Sequence, residues 1–450
     1  VRDAGFAALG DLMQLLLRGP EPAPGAGQDV LTGLPDGHGF AAALALVRPE
    51  QGASVLILDI DNFRSIKTVL GRAVSDALLR AMSERLGDVL GLRGTLARSD
   101  GDAFAVLVPG GAQAADRLAR DFRQAVARPF ELDAITVYVT ASIGISRLGS
   151  ADEAPQVLVR QAEVASFAAK TAGGNRQARY TRTMDARMSR RGEVVQALRH
   201  ALRNDEFTLA FQPKFQISGD PMQMTLAGGE ALLRWDSPIL GPVSPDEFIP
   251  IAEASGVITE IDNAVIAIFA RQLGLWRRAG HACPASINLS PRSFEDPTLA
   301  PRMIDMLARE GAAPDGVTVE ITETSLISMS AVARANLDQF RAAGIALAVD
   351  DFGTGYSSLG YLQDLIVSEI KIDKRFILPL PPEGAGCGTE KIVRTILALA
   401  KTLNLRVVAE GVEKPAQAQW LLREGCHLVQ GYLGGRAVDP QAFEAQYLLG

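Results

Sequence analysis

Eight short stretches in the second half of the chain decide its fold: FTLAFQPKF (207–215), GGEALLRW (228–235), ASINLS (285–290), VTVEIT (317–322), ALAVDDFG (346–353), EIKID (369–373), RVVAEGV (406–412) and LVQGYL (428–433). Each is rich in apolar and β-branched residues, and helix-like segments alternate with them. Eight such strands over about 240 residues predict a (β/α)8 barrel, in which the C-terminal strand ends surround one mouth. Those ends carry Glu230, Asn288, Glu320, Asp350 with Asp351, Lys371, Glu410 and Gln430. Carboxylates gathered at one mouth repel one another unless cations lie between them. Five carboxylates and one asparagine suit two divalent ions. Two such ions about 3.5–4 Å apart promote in-line displacement at phosphorus. A single acid at a loop entrance is ordinarily just solvated. The adjacent pair Asp350–Asp351, after an apolar strand and before Gly353, fits that explanation less well, and the whole set fits it poorly.

The bulk composition agrees. The chain has 450 residues, 47% hydrophobic and 22% charged, which predicts a folded protein of two or three domains. A net charge of -7 argues against a basic face for duplex nucleic acid. A phosphorylated small substrate stays compatible, because metal ions can bring the positive charge. Cys283, Cys387 and Cys426 are far apart, as are His38, His200, His281 and His427. Neither set predicts a disulfide framework or a zinc site, and a reducing cytoplasm fits. Metal chemistry must then rest on carboxylates and hard ions, Mg2+ or Mn2+. No apolar run approaches the roughly 20 residues of a membrane span. The chain starts at Val1 without methionine. It therefore reads as the cytoplasmic part of a longer protein, with any sensor or membrane anchor upstream.

Four segments follow from the pattern. Residues 1–28 hold a short amphipathic helix (5–18) and a Pro/Gly linker (20–27). Residues 29–180 form an α/β domain, with strand-like runs Ser54–Ile60, Ala103–Val108 and Ile135–Ile145 and helical stretches Val74–Leu86, Ala112–Ala127 and Ala154–Lys170. Residues 181–203 read as a connecting helix, and residues 204–450 as the barrel.

The barrel segment resembles the EAL family of cyclic di-GMP phosphodiesterases over its whole length. The motifs that carry the resemblance are EALLRW (230–235), PDEFIPIAEASG (245–256), NLS (288–290), EITE (320–323), DDFGTGYSSL (350–359), KIDK (371–374), AEGVE (409–413) and QGY (430–432). Departures are confined to the tail GGRAV (434–438) and the loop PPEGAGCG (381–388). The resemblance implies that Glu230, Asn288, Glu320 and Asp350 hold one metal, and that Asp350, Asp351 and Glu410 hold the other. Lys371 would orient or deprotonate the attacking water, with Asp351 and Glu410 also catalytic. Arg234 would grip a phosphate, a task suited to its fork of donors. Gln212, Glu413 and Gln430 would position nucleotide or water, and Glu323 would anchor the loop Asp351–Leu359, which the family couples to a dimer interface. The implied product is linear pGpG, the implied assembly a homodimer. A catalytically silent cyclic di-GMP receptor is the alternative, although such receptors typically lack metal ligands.

The first domain resembles the GGDEF family of cyclic di-GMP synthases, an α/β fold with a mostly antiparallel central sheet. DVLTGLPD (29–36) and LDIDNF (58–63) carry the likeness. It implies metal binding at Asp59, assisted by the Ile60 backbone, with Asp102 preserved, guanine reading at Asp76 and phosphate binding at Lys170. The signature hairpin departs: it reads Ser99-Asp100-Gly101-Asp102-Ala103-Phe104, with Asp100 at the first glycine and Ala103 at the glutamate. Lys67 replaces the guanine-reading asparagine, Gly174 a phosphate arginine, and GLRG (91–94) the product-inhibition motif. Diguanylate cyclase activity is therefore not expected. Two readings stay open: a regulator that binds GTP with Mg2+, or a structural or dimerising module.

Overall fold

The computed structural model describes residues 27–47, 52–99, 101–132, 135–148, 155–219, 222–327, 329–354, 367–380 and 388–449. The expected helix at 5–18, Asp100 and Cys387 lie outside them, as do residues 355–359 of the loop Asp351–Leu359. The chain divides into two compact units between Arg190 and Arg191.

The first unit is built on a sheet of strands β1 (Ala53–Ile60), β2 (Thr95–Arg98), β3 (Ala103–Pro109), β6 (Ala141–Arg147) and β7 (Gln177–Arg179), in the order β2-β3-β1-β6-β7. Only β6 and β7 pair in parallel. Strand β1 is central and buried along nearly its whole length, which explains its unbroken apolar sequence. The expected strand Ile135–Ile145 is two strands. β5 (Ile135–Val137) pairs with β4 (Phe130–Leu132) in a separate ribbon, and β6 starts only at Ala141. The break has a cause at Thr140. Its carbonyl accepts from the Asp61 N–H at 2.9 Å, and its hydroxyl donates to the Asp61 carboxylate at 2.7 Å. The entry motif is also tied down, since Asp29 accepts from the Thr32 N–H and hydroxyl and pairs with Arg98 at 2.8 Å.

Helix Pro155–Thr171 packs across this sheet where Gly144 leaves no side chain. A Cβ there would lie 1.9 Å from the Ala162 carbonyl oxygen and 2.1 Å from the Ser166 nitrogen. Helix backbone cannot yield as a flexible side chain would, so Gly144→Ala is expected to destabilise this unit by about 3 kcal/mol. Calorimetry should show one unfolding transition lowered by several degrees; unchanged melting would exclude this packing.

The second unit is a closed eight-stranded barrel: β8 (Phe207–Ser218), β9 (Gln223–Ser237), β11 (Ala285–Asn288), β12 (Val317–Thr322), β13 (Ala346–Phe352), β14 (Glu369–Ile372), β15 (Arg406–Ala409) and β16 (Leu428–Gln430). A three-residue strand, β10 (Gly241–Val243), hangs on the end of β9. All eight expected strands are present. The departure from a uniform barrel is β8, which is antiparallel to both its neighbours, β9 and β16. Only four residues of sequence separate it from β9, too few for the crossover that parallel strands need. From β9 to β16 the strands run parallel. Helix Arg182–Ala201 precedes the barrel, and its last turns contribute Val194, Ala197, Leu198 and Ala201 to the barrel's apolar core.

Residues two apart on a strand share a face, so the barrel interior is layered. Strand pairing sets Gln212 beside Glu230 and Asn288 beside Glu320. Two residues further down their strands lie Lys214, Ser286 and Glu369, beneath Gln212, Asn288 and Lys371. Both layers are polar, whereas apolar side chains face the surrounding helices.

Candidate active site

The upper layer converges on Lys371, which is 1% exposed. Its ammonium lies 2.5 Å from Glu320, 2.6 Å from Glu410, 3.1 Å from Glu230 and 3.3 Å from Asp350. Four strands therefore deliver acids to one lysine on a fifth. Asn288 Nδ2 donates to Glu230 Oε1 at 2.7 Å, and Gln430 Nε2 donates to Glu230 Oε2 at 2.7 Å and to Gln212 Oε1 at 3.2 Å.

Asp350 and Asp351 are neighbours, and neighbours on a regular strand point to opposite faces. The ladder between β13 and β14 shifts here: Val349 pairs with Ile370 and Phe352 with Ile372, leaving two aspartates opposite the single Lys371. This is a β-bulge, with Asp351 in the left-handed region at φ 54°. It turns both carboxylates to one side. Just beyond it, the Gly353 N–H donates to Glu323 Oε2 at 2.8 Å, so the buried Glu323 holds the start of the following loop.

Oxygens from Glu230, Glu320 and Asp350 lie within 4.8 Å of one another, as do oxygens from Asp350, Asp351 and Glu410. The two groups share Asp350. The site is starved of positive charge: among the described residues, five carboxylates are served by Lys371 and Lys214, with Arg234 further out near Glu230. Burial, with Asp350 and Glu230 nearby, pushes the Glu410 carboxyl up to about 8 despite Lys371. Burial and hydrogen bonding to Asp373 push Asp351 up to about 6. Burial also raises Glu230, with Glu320 adding to it. Burial opposes the charge of Glu320, but Lys214 and Lys371 outweigh it and hold that carboxyl below the usual range. Gln430 Oε1 is buried and has no partner among the described residues. Paired all-oxygen donor groups, excess negative charge and an orphaned acceptor all fit hard divalent ions.

The other expected residues are placed more loosely. Arg234 is half-buried near the end of β9, close enough to Glu230 to feel its charge, and donates to the Leu233 carbonyl. Gln212 donates to the Gly435 carbonyl at 3.3 Å. Glu413 is exposed on the turn after β15, where its N–H donates to Gln417.

The family model for the EAL domain matches residues 195–437, more than half of the chain. The chain belongs to the EAL domain family. Ahead of the EAL domain, a second family, described as "Diguanylate cyclase, GGDEF domain", matches residues 26–176. The chain is 34% identical over 397 residues to the bifunctional diguanylate cyclase/cyclic di-GMP phosphodiesterase MucR of Pseudomonas aeruginosa, covering 88% of this chain and 57% of MucR. It is 32% identical over 426 residues to the cyclic di-GMP phosphodiesterase PdeR of Escherichia coli, covering 94% of this chain and 63% of PdeR. The chain thus spans little more than half the length of these relatives. Among solved structures, the PaMucR phosphodiesterase in complex with c-di-GMP matches 56% of this chain and 99% of its own at 38% identity, with a TM-score of 0.51.

In the GGDEF domain, Lys170 Nζ lies 2.6 Å from Asp59, and Asp102 is close enough to both to feel their charge. Burial raises the Asp102 carboxyl, and Asp59 raises it further. Asp76 is engaged elsewhere, by Arg72 at 3.6 Å. Ala103 stands directly opposite Asp59 in the β1–β3 ladder, so a methyl group occupies the signature glutamate's position beside that carboxylate. Lys67 is exposed.

Sequence reasoning missed four polar residues. Lys214 donates to Glu320 Oε1 and to Ser286 Oγ, both at 2.8 Å. Asp61 is fixed by Thr140, Ser142 and the Asn175 N–H. Asp262 accepts from the Ser290 N–H at 2.9 Å and from the Ser293 hydroxyl, anchoring the turn that follows Asn288. Asp373 shares a hydrogen bond with Asp351. The one available signal was a charged residue inside an apolar strand motif, as in FQPKF.

Proposed function

We propose that the EAL domain hydrolyses cyclic di-GMP to linear pGpG with two Mg2+ or Mn2+ ions. The observation that carries this reading is the pair of oxygen groups joined at Asp350 around Lys371. Glu230, Asn288, Glu320 and Asp350 would hold one ion, and Asp350, Asp351 and Glu410 the other. When bound, two such ions supply a water of lowered pKa and neutralise charge at the phosphate.

The chain's own residues do the rest. Burial opposes the charge of Lys371, but Glu230, Glu320, Glu410 and Asp350 together raise its pKa well above the usual value. It keeps its protons at neutral pH, so it orients the attacking water and does not deprotonate it. Arg234 grips a phosphate, and Gln212, Gln430 and Glu413 position the nucleotide and water. Glu323 anchors the loop that begins at Asp351, through which two copies of the domain would associate. The GGDEF domain makes no cyclic di-GMP, because Ala103 supplies no ligand; Asp59, Asp102, Asp76 and Lys170 would let it bind GTP and regulate the EAL domain. No helix among the described residues is long and apolar enough to cross a membrane. We place this part of the protein in the cytoplasm, and duplex nucleic acid is not among its partners.

Purified protein with Mg2+ or Mn2+ should convert cyclic di-GMP to pGpG, and EDTA should abolish turnover. Parallel reactions with GTP test the regulatory domain, and GTP alone should yield no cyclic di-GMP. At limiting Mn2+, turnover should climb from pH 6.5 toward 8.5, because an ion must displace the proton that Glu410 holds below about 8. Tight binding of cyclic di-GMP without turnover under either ion would leave a receptor instead.

A further inference from the structure

Beneath the mouth lies a second polar layer that the reaction as described does not use. We propose that Lys214 is a positioning residue of the EAL domain, which fixes Glu320 from below so that this acid meets a metal ion through one oxygen only. The proposal rests on the reading of Glu320 as a metal ligand.

Lys214 enters the barrel on β8, the antiparallel strand, and is buried. Its ammonium has three hydrogens and three acceptors around it: Glu320 Oε1 at 2.8 Å, Ser286 Oγ at 2.8 Å and Glu369 Oε1 at 3.7 Å. Glu369 is itself held by Arg406 at 3.3 Å. Two hydrogen bonds and one longer ion pair thus hold the lysine beneath Glu320.

Glu320 is fully buried, so its hydrogen bonds come from the protein. Its two oxygens are divided between two lysines on different strands. Oε1 takes Lys214 from the lower layer, and Oε2 takes Lys371 at 2.5 Å in the upper layer. This fixes the plane of the carboxylate and leaves Oε2 on the side of Glu230 and Asp350. Below it is a cavity of about 60 Å3, lined by Lys214, Ser286, Thr318, Glu369 and Arg406 among others. Most of its wall is apolar, but Lys214, Ser286, Thr318, Glu369 and Arg406 supply polar partners, and the volume would admit water. Without the lysine, Glu320 could tilt toward this floor and away from the metal position. Partners that orient a metal ligand in this way typically contribute 10–100-fold to metal affinity.

The test uses the whole chain with Mn2+ as the probe, reading free aquo-Mn2+ by electron paramagnetic resonance. Lys214→Met should weaken Mn2+ binding about 10–100-fold and lower kcat/KM in step, with kcat recovering as Mn2+ is raised. Lys214→Gln, which keeps an N–H donor, should lie between Lys214→Met and the unmodified protein. Added to Glu320→Gln, Lys214→Met should cost no further affinity, because it acts through that carboxylate. Unchanged Mn2+ affinity in folded Lys214→Met overturns the proposal, as does an equal loss in the Glu320→Gln background. If Lys214→Met does not fold, the same two comparisons with Lys214→Gln decide. If the unmodified protein neither binds Mn2+ nor hydrolyses cyclic di-GMP, it is the proposed function that fails.

Discussion

Asp350→Asn should lower hydrolysis of cyclic di-GMP by on the order of 1000-fold, well beyond the 10–100-fold that loss of an outer partner costs. Asp350 is the one residue common to both oxygen groups. Asparagine keeps its shape and one carbonyl oxygen, but it removes the charge and the second oxygen that a bridging position requires. Calorimetric titration with Mn2+ should show the two-ion stoichiometry reduced to one or none. Near-normal turnover with two ions still bound would sink the shared-ligand arrangement. The substitution should be mild for the fold, because Asp350 also accepts from the Asp351 N–H at 2.9 Å and an asparagine oxygen can do the same.

Lys371→Met should cut kcat by about 100- to 1000-fold, the usual cost of removing one preorganised electrostatic donor. Metal affinity should move the other way. Unlike Lys214, which lies beneath Glu320, the Lys371 ammonium stands 2.5–3.3 Å from four of the carboxylates that would hold the ions, so its removal clears the space between them as well as the charge. The same four acids would then repel one another in a buried space, so metal-free Lys371→Met should melt lower than the parent, with Mn2+ restoring most of the difference. A lysine that served only to stabilise the fold would give lower melting with kcat intact once Mn2+ is added. That outcome would remove Lys371 from the reaction.

Much of this was legible because strand ends are legible. The acids at 230, 320, 350, 351 and 410 follow apolar runs, and a barrel fold gathers such positions at one mouth. What escaped depended on register and direction. DDFG reads as two adjacent acids, but only the bulge opposite Lys371 explains how both turn to one side. Lys214 stands in plain view in FQPKF, yet its place under Glu320 follows from β8 running against its neighbours. The run Ile135–Ile145 looked like one strand because its apolar pattern is continuous; the break comes from Asp61, about 80 residues earlier in the chain. Such contacts between distant residues leave no periodic trace in either segment.

The reversed first strand also governs when the site can exist. The barrel closes only where β8 meets β16, and Gln212 reaches Gln430 across that seam. The earliest and latest strands of the domain thus stand side by side at the mouth of the barrel. During synthesis, the upper layer stays open until residue 430 has left the ribosome, and loop closure over more than 200 residues makes this a slow, late contact. A chain stopped short of β16 would hold all five acids of the mouth and none of the closure. In this domain, activity can therefore report that translation has run to the end of the barrel.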